Sequence, residues 1–343
     1  MSRLTSALPV SATSATIDWT KIAVTRELVY ESPLIACRYS PDGKRLAATA
    51  QDNRIVLWNL ETDERRELDG HESWVNALQF SQDGLSLVSG GCDGRLCWWD
   101  LSGGATQPVR VVEAHAGWVR SLALSPDGST LASGGNDCQV ALWSMADGEP
   151  LQRLTGHEKH VYSVAFHPSG AIVSGDLAGS IRDWNLSDGS LTRQFDGAKL
   201  HSYNGGQGVD FGGVRSLAFS ADGKQLAAGG LQNASNPLGA VHDPLVLVYD
   251  WESGEPTRTL ETGDLKGVVW RVAFVADGWI AGASGGSSGG YLLLWNPEQE
   301  KDAHRVKLPH LARDMDVNPD GQHFVHACFD RKLHFCGLPP ESA

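Results

Sequence analysis

The sequence predicts an all-β fold, a seven-bladed β-propeller of four-stranded antiparallel blades. Three observations carry the prediction. A turn tetrapeptide recurs seven times, short alternating strands flank the copies, and the chain is rich in glycine (39 of 343 residues) and tryptophan (12). Abundant glycine between short apolar runs points to many turns and strands rather than long helices.

The tetrapeptide is SPDG ending at Gly43, SQDG at Gly84, SPDG at Gly128, HPSG at Gly170, SADG at Gly223, VADG at Gly278 and NPDG at Gly321. Successive glycines lie 41, 44, 42, 53, 55 and 43 residues apart. Such a period marks a repeat architecture in which each unit buries its faces against its neighbours. Proline at the second position presets φ for a turn, and the closing glycine can take φ > 0.

An alternating strand precedes each turn, as in WVNALQF (74–80) and WVRSLAL (118–124), and another follows, as in STLASG (129–134). The third strands are clearest: RIVLWNL (54–60), RLCWWDL (95–101), QVALWSM (139–145), SIRDWNL (180–186), LVLVYDW (245–251), YLLLWNP (291–297) and KLHFCGL (332–338). Period-two alternation repeated every forty residues or so means small antiparallel sheets arranged around an axis.

These copies resemble the WD40 repeat, whose pattern runs G-H, an apolar strand, S-P-D-G, L-A-S-G, an Asp, and W-D six residues after that Asp. Gly70-His71, Ser89, Asp93 and Trp99-Asp100 reproduce it in the second copy. His115, Ser133, Asp137 and Trp143 reproduce it in the third, with Ala114 replacing the usual glycine. The resemblance implies that each His, Ser, Asp and Trp set forms a buried hydrogen-bonded network within one blade, since buried polar atoms need partners. The network is read as structural. Copy one keeps Asp52 and Trp58 without a His; copy four keeps His157, Ser174 and Trp184 but has Ala178 at the Asp position. Copy five offers Asp243 and Tyr249, copy six Trp295, and copy seven Asp330 with Cys336 in the Trp position. Two complete networks are therefore expected.

Copy seven ends too near the C-terminus to supply its own outermost strand. The segment IAVTRELVY (22–30) is similar to the outer strand within 64–71 and is expected to complete the last blade. Closure removes the raw sheet edges that invite aggregation. The domain reading is a flexible leader (1–21), one propeller (22–338) and a short tail (339–343).

The formal net charge of −13, spread along the chain, argues against a nucleic-acid platform, which needs a basic stripe. No window holds enough consecutive apolar residues for a membrane span. The polar start reads as a frayed leader without an apolar core segment. Six cysteines without C-x-x-C spacing suit a reduced, cytoplasmic protein, monomeric alone or a subunit of a larger complex.

The resemblance also implies where a partner docks: on the "top" face, on side chains at the start of each inner strand and just before the Asp position. Carried over residue by residue, that surface includes Trp74, Asn76, Trp118, Arg120, His160, Tyr162, Arg215, His242, Trp270, Arg313 and Phe329. Trp, Tyr and Arg are the types enriched at interface hot spots, here in a protein short of positive charge. The expectation is a non-catalytic scaffold or adaptor that holds a protein or peptide, with Arg120, Arg215 and Arg313 at the channel mouth gripping an acidic segment. The insertions 197–213 and 231–242 are expected to rise from the same face beside blade five.

The competing class is a propeller enzyme, or a small-ligand or metal binder, at the channel mouth. Its candidates are few. His323, His326, Cys328, His334 and Cys336 crowd copy seven, but His326 and Cys336 fall at network positions, so no metal is assigned. His201, His242 and Asp243 offer a base with an orienting acid, but Asp243 reads more simply as a network Asp. The GGSSGG run (285–290) reads as a mobile loop and lacks the pattern of a phosphate-binding loop. Neither a catalytic residue nor a cofactor is assigned.

Overall fold

A computed structural model describes residues 17–234 and 241–340. Seven four-stranded antiparallel sheets surround a central channel, with a separate two-stranded hairpin. The inner strands are Leu34–Tyr39, Val75–Phe80, Val119–Leu124, Val161–Phe166, Ser216–Phe219, Val268–Phe274 and Ala312–Val317, for blades one to seven.

Local chemistry explains the repeat. In SQDG the Ser81 hydroxyl donates to Asp83 at 2.6 Å, Asp83 accepts the Leu85 amide at 2.9 Å, and Gly84 takes φ 68°. The side chains thus close the turn that joins inner and second strands. The core lies between blades rather than within one sheet. Trp98 of blade two packs with Val119 and Met145 of blade three and donates to the Met145 carbonyl at 3.0 Å.

Inner-strand serines tie neighbouring blades together. Ser121 accepts the Val164 amide, Ser163 the Leu217 amide and Ser216 the Val272 amide, at 2.9 to 3.2 Å. At the closing seam Asp314 takes that role, accepting the Cys37 amide at 3.1 Å and also binding Arg38 of blade one (2.7 Å) and Arg271 of blade six (2.8 Å).

The closure expected from the sequence is present. Ala23–Val29 pairs antiparallel with Lys332–Gly337 and completes blade seven. The expected leader extends outside the described residues up to position 16, but its end joins the domain. Trp19 is buried, 6.0 Å from the Phe324 ring and 6.2 Å from the Trp279 ring. Of the expected tail, 341–343 lies outside the described residues.

The predicted networks of blades two and three are formed. His71 Nδ1 lies 2.9 Å from Asp93 and its Nε2 2.8 Å from the Ser89 hydroxyl, to which Trp99 donates at 2.8 Å. His115, Asp137, Ser133 and Trp143 repeat this at 2.7 to 2.9 Å. Burial pushes the Asp93 and Asp137 carboxyls up, but the histidine's hydrogen bond and charge together with two backbone amides outweigh it and hold both below the ordinary range.

Blade four corrects the expectation of two complete networks. Its His157, Ser174 and Trp184 are joined by Asp176, two positions before Ala178, with His157 Nδ1 2.7 Å from Asp176 Oδ2. In blade one the Tyr30 hydroxyl donates to Asp52 at 3.0 Å, over the same separation of 22 residues that joins His71 to Asp93. Asp243 is not blade five's network aspartate: it pairs with Lys266 and accepts from Asn233.

The GGSSGG run, expected as a mobile loop, is mostly paired strand. Ile280–Gly286 and Gly289–Trp295 run on to pair Gly286 with Gly289, leaving a tight turn. In the insertion 197–213, the short turn Ala198–Leu200 is followed by the hairpin His201–Asn204 and Val209–Gly212. The second insertion lengthens two strands, which pair as far as Gln232 with Asp243, and its residues 235–240 lie outside the described ones.

Candidate functional site

Backbone hydrogen bonds place the residues before the inner strands beside the turns between second and third strands. The Cys92 amide donates to the Trp74 carbonyl, Asn136 to Trp118, Leu177 to His160 and Phe329 to Leu311. These positions therefore share one end of the propeller.

At that end six of the predicted side chains form one continuous ladder. The Arg120 guanidinium lies 4.4 Å from the Trp118 ring and 4.9 Å from the Tyr162 ring. Arg215 lies 4.2 Å from Tyr162 and 5.3 Å from Trp270, and Arg313 lies 4.7 Å from Trp270. Cation and ring alternate from blade three to blade seven, each contact worth ~0.5–1 kcal/mol where exposed. Arg120, Arg215 and Arg313 all line the channel mouth, together with Asn76, which donates to the Val119 carbonyl at 3.0 Å.

His160 sits beside the ladder, its Nδ1 2.6 Å from the Asn136 carbonyl. His242 and Phe329 line a lateral pocket that also touches Trp270, Arg215 and Arg313. Trp74 is at the same end and exposed at 44%, but it is not one of the ladder's stacked rings.

The repeat family described as WD domain, G-beta repeat matches residues 26–59, 63–100, 106–144, 148–185 and 198–234, more than half of the sequence. The chain belongs to the WD40 family. The family matches end within blade five, so the WD40 character of blades six and seven rests on the fold. The chain is also 31% identical over 194 residues to apoptotic protease-activating factor 1 of Rattus norvegicus. The match covers 56% of this chain and only 15% of that protein.

What distinguishes the open end of this WD40 protein is its uncompensated cations. Arg38 and Arg271, deeper in the channel, are paired with Asp314. Among the described residues, no carboxylate lies within ion-pairing distance (4.0 Å) of Arg120, Arg215 or Arg313. Arg120 has only the neutral Asn136 oxygen at 2.8 Å, and the buried Nε of Arg215 has no hydrogen-bond partner. Desolvation by the surrounding protein pushes all three guanidinium groups down in pKa, though Arg313 stays exposed, and repulsion among the arginines adds to this at Arg215 and Arg313. The cationic form is thus held at a cost that a bound anion would relieve.

In blade seven the His and Cys crowd brings three ligand-type side chains together. Cys328, Asp330 and His334 bring their ligand atoms within 4.8 Å of one another. His334 Nε2 is 2.8 Å from Asp330, and Glu27 lies 3.1 Å from its Nδ1. That geometry is a polar network of blade seven's own, with His334 supplied by the third strand. His201, expected near His242 and Asp243, instead holds Asp210 at 2.8 Å within the inserted hairpin.

Sequence reasoning missed Phe211 and Leu231, which line the lateral pocket, because both lie where insertions break the repeat register. It also missed Arg38, Arg271 and Asp314. Their signal was present: charges inside otherwise apolar inner strands, LIACRY, VVWRVAF and ARDMDV.

Proposed function

We propose that this WD40 protein is a non-catalytic interaction scaffold that holds a protein or peptide partner at the open end of its channel, by an acidic segment. The observation that carries the reading is the arginine–aromatic ladder without counter-charge. Unpaired guanidinium groups on rigid aromatic faces favour carboxylate recognition, because charge-assisted hydrogen bonds are the strong ones and the rings fix the donors in place. WD40 propellers typically serve as platforms for protein partners, which supports the class of function. Three networked blades and a stapled seam support a rigid platform, one that orders little of itself on binding.

All six cysteines are free thiols, which supports a reducing, cytoplasmic setting. No helix among the described residues is long and apolar enough to cross a membrane.

Quantitative affinity capture from an extract of the source cell tests the proposal. The intact protein is compared with a Trp118→Ala, Arg313→Gln variant and with a variant altered at the opposite end, Lys224→Glu. The reading expects partners retained by the intact and Lys224→Glu proteins and lost from the ladder variant. Equal capture by all three would overturn it.

A further inference from the structure

We infer that the inserted hairpin of blade five, with the rims of blades six and seven, forms a pocket that seats one bulky apolar side chain of the partner, while the adjoining arginines hold carboxylates that flank it in the partner's sequence. This rests on the proposal that the open end binds an acidic segment.

The pocket measures about 320 Å³. Phe211 and Leu231 form one wall; Val268, Trp270, Leu311 and Phe329 form the others. That volume is at the lower end for ligand sites, and suits one large side chain.

The hairpin wall is anchored. Asp210 is gripped by His201 within the hairpin and by Lys159 of blade four, each at 2.8 Å. Leu200 at its base is fully buried, and Phe211 is 8% exposed. Gly212 and Gly213 both adopt φ 90°, a left-handed conformation that lets the chain double back from hairpin to blade. An anchored apolar wall beside a channel differs from a length of neutral loop.

Charge decides the occupant. Arg215 and Arg313 line both this pocket and the channel mouth. His242 lines the pocket with its Nδ1 buried and without a partner. Burial, then the nearby Arg215 cation, lowers its pKa, so it adds no charge at neutral pH. A basic or purely polar segment would leave the guanidinium groups repelled or the walls wet. The cations are spread over blades three, five and seven, which suits several Asp or Glu side chains rather than one compact anion.

The test is selection of a displayed library of random short peptides on the intact protein, followed by affinity measurement of the synthesised winner. The expected winners carry Phe, Trp, Leu or Met next to Asp or Glu. Phe211→Ala and Phe329→Glu, altering opposite walls and checked for unchanged thermal midpoints, should each weaken binding at least about tenfold. A matched peptide with Ser at the apolar position should bind the intact and Phe211→Ala proteins equally. Winners that are acidic without apolar preference, yet lose binding in Arg313→Gln, would overturn the pocket and leave the acidic-segment reading standing. Basic winners, or binding indifferent to Arg313→Gln, would overturn both. Preference for phosphoserine in place of the flanking acids would overturn the carboxylate assignment.

Discussion

Asp176 Oδ2 lies 2.7 Å from His157 Nδ1, while Ala178 occupies the place where blades two and three carry Asp93 and Asp137. The two departures compensate each other. In those blades the position equivalent to Asp176 is Gly91 or Gly135, where any Cβ would collide with the network His and Asp. Blade four empties the Asp position and reaches the histidine from the glycine position. Asp176→Gly alone is expected to cost ~3 kcal/mol by stranding buried partners, and Ala178→Asp alone ~1–3 kcal/mol by overcrowding. The double variant restores the arrangement of blade two and should recover most of the loss, a coupling of ~2 kcal/mol or more. Urea unfolding of the four proteins checks this, and simple additivity would contradict it.

His326 gives a pH signature. It is fully buried, its Nε2 has no partner, and burial pushes its pKa down from 6.5 to about 4. The unfolded chain therefore takes up this proton first, so the contribution is complete above pH 6.5 and is lost as pH falls towards about 4. The expected loss is ~2–3 kcal/mol. Asp316, pushed up to about 6 by burial, acts in the opposite sense. The readout is thus the difference between the protein and its His326→Leu variant, which should shrink by that amount across the window.

Closure by the N-terminal strand stabilises the propeller. Removing residues 1–30 strips the outer strand from blade seven and exposes the edge of Lys332–Gly337. Size-exclusion chromatography should find aggregate rather than monomer. The milder Trp19→Ala, at a side chain only 1% exposed, is expected to cost ~3–5 kcal/mol.

The ladder should trade stability for binding. Arg215→Met removes a guanidinium disfavoured by burial, with Nε unpartnered, and retains much of the apolar stem. Lost contacts with Tyr162 and Trp270 offset part of the gain. The expected result is a melting temperature raised by ~1–3 °C, with affinity for an acidic peptide reduced at least about tenfold. Scanning calorimetry and titration on one preparation check both.

The fold was legible because turn tetrapeptides and period-two strands recur in seven copies, giving a register that fails only at the insertions. That register also located Trp118, Arg120, Tyr162, Arg215, Trp270 and Arg313, whose side chains follow from their place at the inner-strand starts. Legibility failed where register fails. Phe211 and Leu231 sit in insertions, and Asp176 performs its task from two positions away. Tyr30 went unnoticed because a histidine was sought, although its spacing to Asp52 equals that of His71 to Asp93. His334 reaches its aspartate from a different strand, which no fixed spacing within the repeat encodes.

Docking of a partner on the arginine–aromatic end leaves a footprint on the backbone amides. Hydrogen–deuterium exchange of the protein, alone and with its captured partner, reads that footprint. Exchange should slow at 74–76, 118–120, 160–162, 211–215, 268–270 and 311–313, with the turns at 41–43, 82–84 and 126–128 unchanged. Protection confined to those turns or to the outer strands would contradict it.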